Sequence, residues 1–473
     1  MSSQSISRSL SRRRFLKNAG GTLFGASLLP KFVAGVLAPS EIVRAQATDP
    51  PPNLYFAGTD GWIHLPPSPP IEFYFPDDLA PGTDRGYPAG LNTYIFGFRN
   101  ITGLDDTQKA NQKMRAQHNA PLFWVDQFNG SNEFRLQLTN LGLQQRPDLT
   151  DSHTLHWHGF RNVITFFDGE PTGSLSVPIG RNFTYVYRPR DPGTYMYHCH
   201  VEDVEHVHMG MTGPVFVRAL QNFTGATGAP IARLGGNTTA GVPMGYAYND
   251  GRALSDPAST AYDREFAIFL SEVWAEAHWC DSHIQLPDWS DYKADFSLLN
   301  GRVYPDTLAP NGSVDPFNPA RDGNGDLIAP AGRPELQYQP LSALVTCNAG
   351  ERVLLRFANL GFREASMTLA GIKMRVVGRD ATPMIGRDGT DNSYETNTIL
   401  IGAGESFDCI FTAPSFSGGS GSSGQGYDSY VLHNRRLTQV SNLSGGGLAG
   451  QRTEVRVYQS VVDAQQYPND WGI

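Results

Sequence analysis

The stretch Tyr197–Met211, YHCHVEDVEHVHMGM, concentrates side chains that bind transition metals. It holds one of the four cysteines and four of the twelve histidines of the 473-residue chain, with two methionines. Thiolate, imidazole and thioether are ligands that suit copper in both of its common oxidation states. The stretch therefore predicts a metal site, and its side chains of this kind are His198, Cys199, His200, His206, His208, Met209 and Met211.

A second histidine motif, HTLHWHG, lies upstream at His153–Gly159. Side chains alternate between the two faces of a β-strand, so His156 and His158 are expected to point to one side together. The two histidines that flank Cys199 do the same, and the cysteine must then point the other way. The motifs predict two metal sites joined by a very short covalent path.

The side that carries the cysteine has the ligand set of an electron-transfer copper. That set is a thiolate, two imidazoles and a weak thioether, and it is supplied by Cys199, His153, Met211 and one of His206 or His208. The four imidazoles of the two His pairs, His156, His158, His198 and His200, suit copper that reacts with oxygen. Zinc is the alternative metal, but zinc sites favour compact tetrahedral sets and do not need a distant methionine.

These motifs resemble those of the multicopper oxidases, and in particular the two-domain, laccase-like members with a type 1 copper in the first domain. The resemblance implies type 1 ligands His153, Cys199, His206 and Met211, and a type 2 and type 3 half-site made of His156, His158, His198 and His200.

The same resemblance implies roles beyond metal binding. The piece FFDGEP is similar to the family's Asp-Gly-x-Pro piece, which makes Asp168 the candidate for helping protons to reach the copper cluster. Electrons are expected to enter at His206, near the surface, and to leave through Cys199 toward the flanking histidines. The expected catalytic residues are Asp168, Cys199 and His206.

One departure from the family pattern is local. Cys199 and His206 are two positions further apart than is usual in the family, so His208 is a rival ligand. We expect His206 to be the ligand and Met209 to pack beside the site.

The larger departure is in the second half of the chain. Aligning the two halves places His153, His156 and His158 opposite Ala365, Thr368 and Ala370, and His198, Cys199 and His200 opposite Val431, Leu432 and His433. The resemblance implies four further imidazoles that this half does not supply, and structural roles are expected for His433, His278 and Cys280. Three hypotheses remain: two first domains facing across a twofold axis, a separate partner chain, or a smaller copper site using the four histidines alone.

The elements that must position these residues are mostly strands. Gly and Pro together make 83 residues, and short apolar runs are bounded by turn residues, which favours β-sandwiches. Phe134–Leu143 is similar to Val353–Phe362, and Gly180–Pro189 to Gly404–Pro414, which indicates a duplicated domain. We predict an all-β fold of two cupredoxin-like Greek-key sandwiches: a copper-binding domain at 48–222, a surface linker at 223–262, and a second domain without copper ligands at 263–473.

The N-terminus predicts export. SRRRFLK, a broken apolar stretch and AQA follow one another in residues 1–47, which looks like a twin-arginine signal of a periplasmic or secreted protein that folds before export. Removing it takes the formal charge from −9 to about −15. Nucleic acid and anionic membranes are therefore excluded as partners.

The three cysteines other than Cys199 allow one disulfide at most. Cys347 and Cys409 are the plausible pair because both border strands of the second domain, and inert buried thiols are the alternative.

The function expected from the site and the resemblance is one-electron oxidation of a phenol or a metal ion at the type 1 copper, coupled to reduction of oxygen to water. The cofactor is copper, with a cluster that is shared between chains of a homo-oligomer or completed by a partner chain. Two alternatives are a type 1 copper electron carrier without oxygen chemistry and a copper nitrite reductase, whose family pattern has a wider His spacing and lacks the second His after the Cys.

Overall fold

The structure is a computed structural model that describes residues 50–67, 78–82, 86–224, 243–419, 426–442 and 449–472. The predicted twin-arginine signal lies outside the described residues. The described residues from 52 onward form one compact unit. None of the helices in the described ranges is long and apolar enough to span a bilayer.

The first sandwich is built from strands in the first half of the chain. They are β1 (Leu54–Ile63), β2 (Thr93–Asn100), β3 (Phe123–Asp126), β4 (Phe134–Gly142), β5 (His156–His158), β6 (Asn182–Tyr187), β7 (Gly193–His198) and β8 (Thr212–Arg218). One sheet has the order β2-β1-β4-β6 and the other the order β3-β8-β7-β5. Their inner faces enclose a core rich in aromatic rings.

A short ladder of β9 (Gly245–Tyr246) and β10 (Ala261–Tyr262) precedes the second sandwich. The strands of that sandwich are β11 (Arg264–Val273), β12 (Phe296–Leu299), β13 (Val345–Asn348), β14 (Arg352–Asn359), β15 (Ala365–Leu369), β16 (Met374–Arg379), β17 (Thr382–Pro383), β18 (Tyr394–Thr396), β19 (Thr398–Ile401), β20 (Ser406–Thr412), β21 (Tyr427–Asn434) and β22 (Arg452–Tyr458). The sheets have the orders β12-β11-β14-β20-β16-β17, with β18 on β16, and β13-β22-β21-β15-β19.

Helices are short and lie between strands. Those described are Asp106–Ala110, Asp203–Met209, Gln221–Thr224, Ala275–Ser282 and Leu437–Val440, with 3-10 turns at Thr165–Phe167, Trp289–Asp291, Asp306–Leu308 and Pro334–Leu336. The prediction of an all-β, cupredoxin-like fold is confirmed.

The two sandwiches repeat one topology. The order β2-β1-β4-β6 of the first corresponds strand for strand to β12-β11-β14-β20 of the second, and β3-β8-β7-β5 corresponds to β13-β22-β21-β15. Directions agree as well, because β1 runs parallel to β4 as β11 does to β14. β4 alternates buried and half-buried positions, which is the pattern that predicted it from sequence.

The expected surface linker is partly wrong. Within 223–262 the structure describes residues 223, 224 and 243–262, and in the latter Met244 and Tyr248 are buried against Leu354 and Ile410 of the second sandwich. The Tyr248 hydroxyl donates to Asp408 Oδ2 at 2.5 Å. The composition of this segment is that of a loop, but its few large apolar side chains are enough to bury it.

Buried charges fix the two sandwiches against each other. Glu265 on β11 accepts from Arg218 on β8 at 2.7 Å and from Arg356 on β14 at 2.9 Å. Arg356 also pairs with Asp408, which accepts from Thr194 on β7 at 2.5 Å. These contacts hold the strand that ends at His198 against the second sandwich.

Candidate metal centre

Three side chains from separate elements meet at one end of the first sandwich. Cys199 directly follows β7, His153 lies in the loop before β5, and His206 lies on the helix Asp203–Met209. One ligand atom from each lies within 4.8 Å of the others, and all three residues are buried. His206 Nδ1 is 3.3 Å from Cys199 Sγ.

The electrostatics of this trio suit a bound cation. Burial opposes ionisation of the Cys199 thiol, but the charges of His206 and His153 outweigh it and hold the cysteine pKa well below its ordinary value. Burial likewise opposes protonation of His206, yet Cys199 and Asp151 raise the pKa of that imidazole to about 10. Neither ring nitrogen of His153 makes a hydrogen bond to the described residues. An unsatisfied buried imidazole beside a thiolate is a fit for copper.

Met211, the thioether ligand expected from the sequence, is tied to two members of this trio through its backbone. Its carbonyl accepts from the Cys199 N–H at 3.0 Å, and its own N–H donates to the His206 carbonyl at 2.9 Å. Gly58, at a bulge in β1, leaves room for it: a Cβ there would lie 2.6 Å from His153 Cδ2 and 3.4 Å from Met211 Cε. Met209 is buried in the core of the sandwich.

His208 faces away from Cys199. Its Nε2 accepts from the Trp274 N–H at 3.0 Å, and its ring packs against aromatic residues of the second half of the chain. Side chains two positions apart on a helix point in nearly opposite directions, so His206 and His208 cannot share one site. The helix thus gives a physical reason for preferring His206 over its rival.

Four imidazoles lie behind the cysteine. The ring of His156 is 5.1 Å from that of His198 and 4.8 Å from that of His200, and the rings of His158 and His198 are 5.6 Å apart. Ligand atoms of His156, His158 and His198 all lie within 4.8 Å of one another. The cross-strand pairing of β5 with β7 sets His156 directly opposite His198.

Backbone carbonyls fix which ring nitrogen is free. His156 Nδ1 donates to the Asp168 carbonyl at 3.0 Å, and His198 Nδ1 donates to the Cys199 carbonyl at 2.8 Å, which leaves their Nε2 atoms for a metal. His158 Nε2 instead donates to the Gly404 carbonyl of the second sandwich at 3.1 Å, which leaves Nδ1. Such partners orient metal-binding imidazoles.

Three of the half-site imidazoles, those of His156, His158 and His198, are held in the neutral form that binds metals. Burial is the largest cause that lowers the pKa values of His156 and His158, and it lowers that of His198 to about 3. Asp168 Oδ2 lies 3.7 Å from His156 Nδ1, and its carboxylate is partly exposed. Asp168 therefore stands between the half-site and solvent.

Three expectations need correction. His206 is 0% exposed and so does not lie near the surface, because Asp151 and Phe96 cover its ring. Cys347 and Cys409 are free thiols on different sheets rather than a disulfide.

The third correction concerns His433. β15 pairs with β21 so that Thr368 lies opposite His433, as His156 lies opposite His198. The register therefore matches His433 to His198, not to His200. His433 Nδ1 also donates to the carbonyl of the following residue, at 2.9 Å, as His198 does.

No residue of the second sandwich joins the groups of potential metal ligands found in the described ranges. His278 is buried with Nδ1 donating to the Tyr94 carbonyl at 2.5 Å, and Cys280 lies on the helix Ala275–Ser282.

Sequence reasoning missed Asp151, Gly58 and Gly404. Asp151 precedes His153 by two positions and could have been found from that spacing. Gly58 carries no sequence signal, because it acts by lacking a side chain. Gly404 opens one of the two repeated pieces, but the contact of its carbonyl with His158 is not visible in the sequence.

Comparisons with known proteins agree with this geometry. Two family models described as multicopper oxidase match residues 137–222 and 291–419. The chain is 23% identical over 300 residues to a laccase of Cryphonectria parasitica, covering 59% of this chain and 38% of that protein. It is 23% identical over 266 residues to laccase-3 of Botryotinia fuckeliana, covering 55% of this chain and 42% of that protein. The chain thus spans about two fifths of the length of these curated relatives.

Among solved structures, the multicopper oxidase mgLAC is similar with a TM-score of 0.52 and 19% identity, covering 86% of this chain and 87% of that one. This likeness supports the fold of two joined sandwiches. The family matches in both halves, with the cysteine set between two histidine sites, support assigning the chain to the multicopper oxidase family.

Proposed function

We propose that the protein is a laccase-like, copper-dependent oxidase that takes single electrons from a reducing donor and passes them to oxygen, which becomes water. The observation that carries the proposal is the placement of Cys199 between His198 and His200. Copper held at these residues would supply one-electron transfer and oxygen reduction. We assign the type 1 site to His153, Cys199, His206 and Met211, and the cluster half-site to His156, His158, His198 and His200.

The chain's own residues set the conditions for this chemistry. The sandwich core excludes water from Cys199 and His153, which are 0% exposed. Cys199 is joined by peptide bonds to both flanking histidines, so electrons cross between the sites through a few covalent bonds. Asp168 holds a carboxylate between solvent and His156, where it can hand on a proton.

The surroundings of His206 bear on the donor. Asp151, Glu202 and His206 bring ligand atoms within 4.8 Å of one another, and Glu202 is exposed. Two carboxylates beside the type 1 histidine favour a metal ion as donor over an anionic organic one. A phenol is the second donor class, because Asp151 could accept the proton that a phenol loses on oxidation.

The cluster half-site is completed from outside the described residues of this chain. We propose a homo-oligomer in which two first domains face each other, each bringing four imidazoles. Exposed apolar side chains on the segment between β5 and β6 support such a contact: Ile164, Phe166, Leu175 and Ile179. In this arrangement the domain at 48–222 carries copper and that at 263–473 serves structure and assembly, and the twin-arginine signal delivers the folded protein to the periplasm or the exterior.

A type 1 electron carrier is the second candidate, because the second sandwich supplies no ligands. Oxygen uptake with manganous ion or a simple phenol separates the two, with Cys199→Ser as the blank. An oxidase consumes oxygen with either donor and loses this in the variant. A blue protein that consumes no oxygen would be a carrier.

Copper per chain then tests the assembly. About one copper per chain fits a carrier, about two and a half fits two type 1 sites and one shared cluster per pair, and about four requires a complete cluster in each chain.

A further inference from the structure

The imidazole expected to receive electrons has no exposed edge. His206 is 0% exposed, its Nε2 faces Asp151 Oδ2 at 3.4 Å, and its ring meets those of Phe96 and His153 at 5.7 and 5.2 Å. A large donor cannot touch this ring. Electrons from such a donor must therefore reach it through neighbouring residues.

A set of aromatic rings connects the same helix to the surface. The ring of His208, two residues after His206, lies 5.4 Å from Trp289, 5.3 Å from Tyr292 and 5.5 Å from Phe362. The ring of Trp274 lies 5.8 Å from those of both Trp289 and Tyr292, and the backbone N–H of Trp274 donates to His208 Nε2. We call these five residues the aromatic cluster.

Three rings of the aromatic cluster are accessible to solvent. Phe362 is 37% exposed, and Trp289 and Tyr292 are half-buried, whereas Trp274 and His208 are buried. The rings thus run from an accessible rim to the helix that carries His206. Contacts of 5 to 6 Å between ring centres are also ordinary packing distances, so geometry alone does not set the cluster apart from a core.

A polar contact does set it apart. The Tyr292 hydroxyl donates to Glu272 Oε2 at 2.8 Å, and Glu272 is buried. The carboxylate is held in place by Arg363 and by the Phe362 N–H, which donates to it at 3.0 Å. A phenol that loses an electron becomes a strong acid, and here its proton has an acceptor in position.

We propose that the aromatic cluster is a second route by which electrons reach the type 1 site, serving donors too large to reach Asp151. The Tyr292 ring would lose one electron by way of His208 to oxidised copper held by the type 1 residues, and its phenol proton would move to Glu272. The external donor returns one electron to the tyrosyl radical at the rim, and the proton moves back to the Tyr292 oxygen. The net change is one electron from donor to copper. This inference rests on the proposed function.

The first test is reduction of the type 1 copper by dextran-bound ferrocene, a donor too large to enter the protein, followed by loss of the copper–thiolate absorption without oxygen. Tyr292→Phe keeps the ring and removes only the hydroxyl. Its reduction rate is expected to fall about a hundredfold, the lower end of what a positioned proton acceptor contributes. Tyr248→Phe is the matched control, because Tyr248 also donates to a carboxylate but lies outside the cluster. An unchanged rate in Tyr292→Phe overturns the proposal.

The second test does not use copper. Flash oxidation of the copper-free protein by a ruthenium photo-oxidant with persulfate is expected to give a tyrosyl radical signal in electron paramagnetic resonance, lost in Tyr292→Phe and kept in Tyr248→Phe. An identical signal in both variants counts against the proposal. A wild-type protein that binds no blue copper would defeat the proposed function, whereas normal oxygen uptake with an unaffected Tyr292→Phe would defeat this inference alone.

Discussion

At the scale of single residues, the proposed type 1 site depends on neighbours that are not themselves metal ligands. Gly58 is set against the ring of His153 so closely that a single methyl group would collide with it. Asp151 holds the far side of His206 and, with Cys199, keeps that imidazole in place. The candidate ligands stand out in the sequence, whereas Gly58 does not, since its role comes from its proximity to His153, which is 95 positions away in the chain.

Gly58→Ala tests this dependence. The added Cβ lies 2.6 Å from His153 Cδ2, so the imidazole must shift. We expect overpacking to cost about 1–3 kcal/mol of unfolding free energy, and the copper–thiolate absorption of the loaded protein to weaken or move. Gly323→Ala is the control, because no atom lies within 4 Å of a Cβ there. Equal spectra in the two variants would show that Gly58 does not shape the site.

At the scale of elements, the strands were predictable and their register was not. Alternation in Phe134–Gly142 gives β4, and the repeated pieces give the matching strand β14. Motif alignment nevertheless placed His433 two positions away from its structural counterpart. The reason is that cross-strand pairing, which depends on loop lengths between β15 and β21, decides which residues face each other. The burial of His206 was missed because the sequence does not show that the helix carrying it packs this ring against Phe96.

The helices Asp203–Met209 and Ala275–Ser282 contact each other through the carboxyl groups of Glu205 and Asp281. Asp281 is 0% exposed, close to Glu205, and paired with Arg146. Burial first, and the charge of Glu205 second, raise the pKa of Asp281 to about 8, against the opposing effect of Arg146. Between its unfolded pKa near 4 and this value the folded state holds an extra proton, so stability falls as pH rises through that window.

Asp281→Asn is expected to reduce this dependence of the unfolding free energy on pH. The amide cannot ionise, so the loss of up to about 1.4 kcal/mol per pH unit should disappear between pH 5 and 8. The measurement is urea unfolding of the copper-free protein at several pH values. Asp106→Asn, whose carboxylate is fully exposed, should leave the slope as in the wild type. A slope that persists in Asp281→Asn would place the extra proton on another group.

At the scale of the whole molecule, the two sandwiches are joined by charges rather than by an apolar seam alone. Glu265 is 0% exposed and lies between Arg218 of the first sandwich and Arg356 of the second. Burial opposes its ionisation, but the two guanidinium groups outweigh burial and lower the pKa of the carboxyl. Composition predicts two sandwiches, yet nothing in it predicts this joint, because each charged residue lies in an otherwise ordinary strand.

Glu265→Gln should therefore weaken the contact between the two sandwiches and lower the unfolding free energy. Removing one member of a buried ion pair typically costs about 3–5 kcal/mol, since it leaves uncompensated charge. We expect a loss of that size in unfolding free energy from denaturant titration. Glu364→Gln, which breaks the exposed pair with Arg436, should cost less than about 1 kcal/mol. Similar losses in both variants would mean that the joint is no stronger than a surface contact.

The contact between His158 and the Gly404 carbonyl has a consequence for how this protein can change over time. A carbonyl is present whatever side chain a residue bears. Gly404 itself is required by its φ of +79° and by a Cβ position 3.1 Å from His158 Nε2. Substitutions at the positions around it that preserve the chain path leave the orientation of His158 intact. The second sandwich can drift widely in sequence and still serve the copper half-site, provided that its backbone trace is kept. Selection at this boundary acts on shape, and a comparison of related sequences by residue identity would underrate the second sandwich's part in the site.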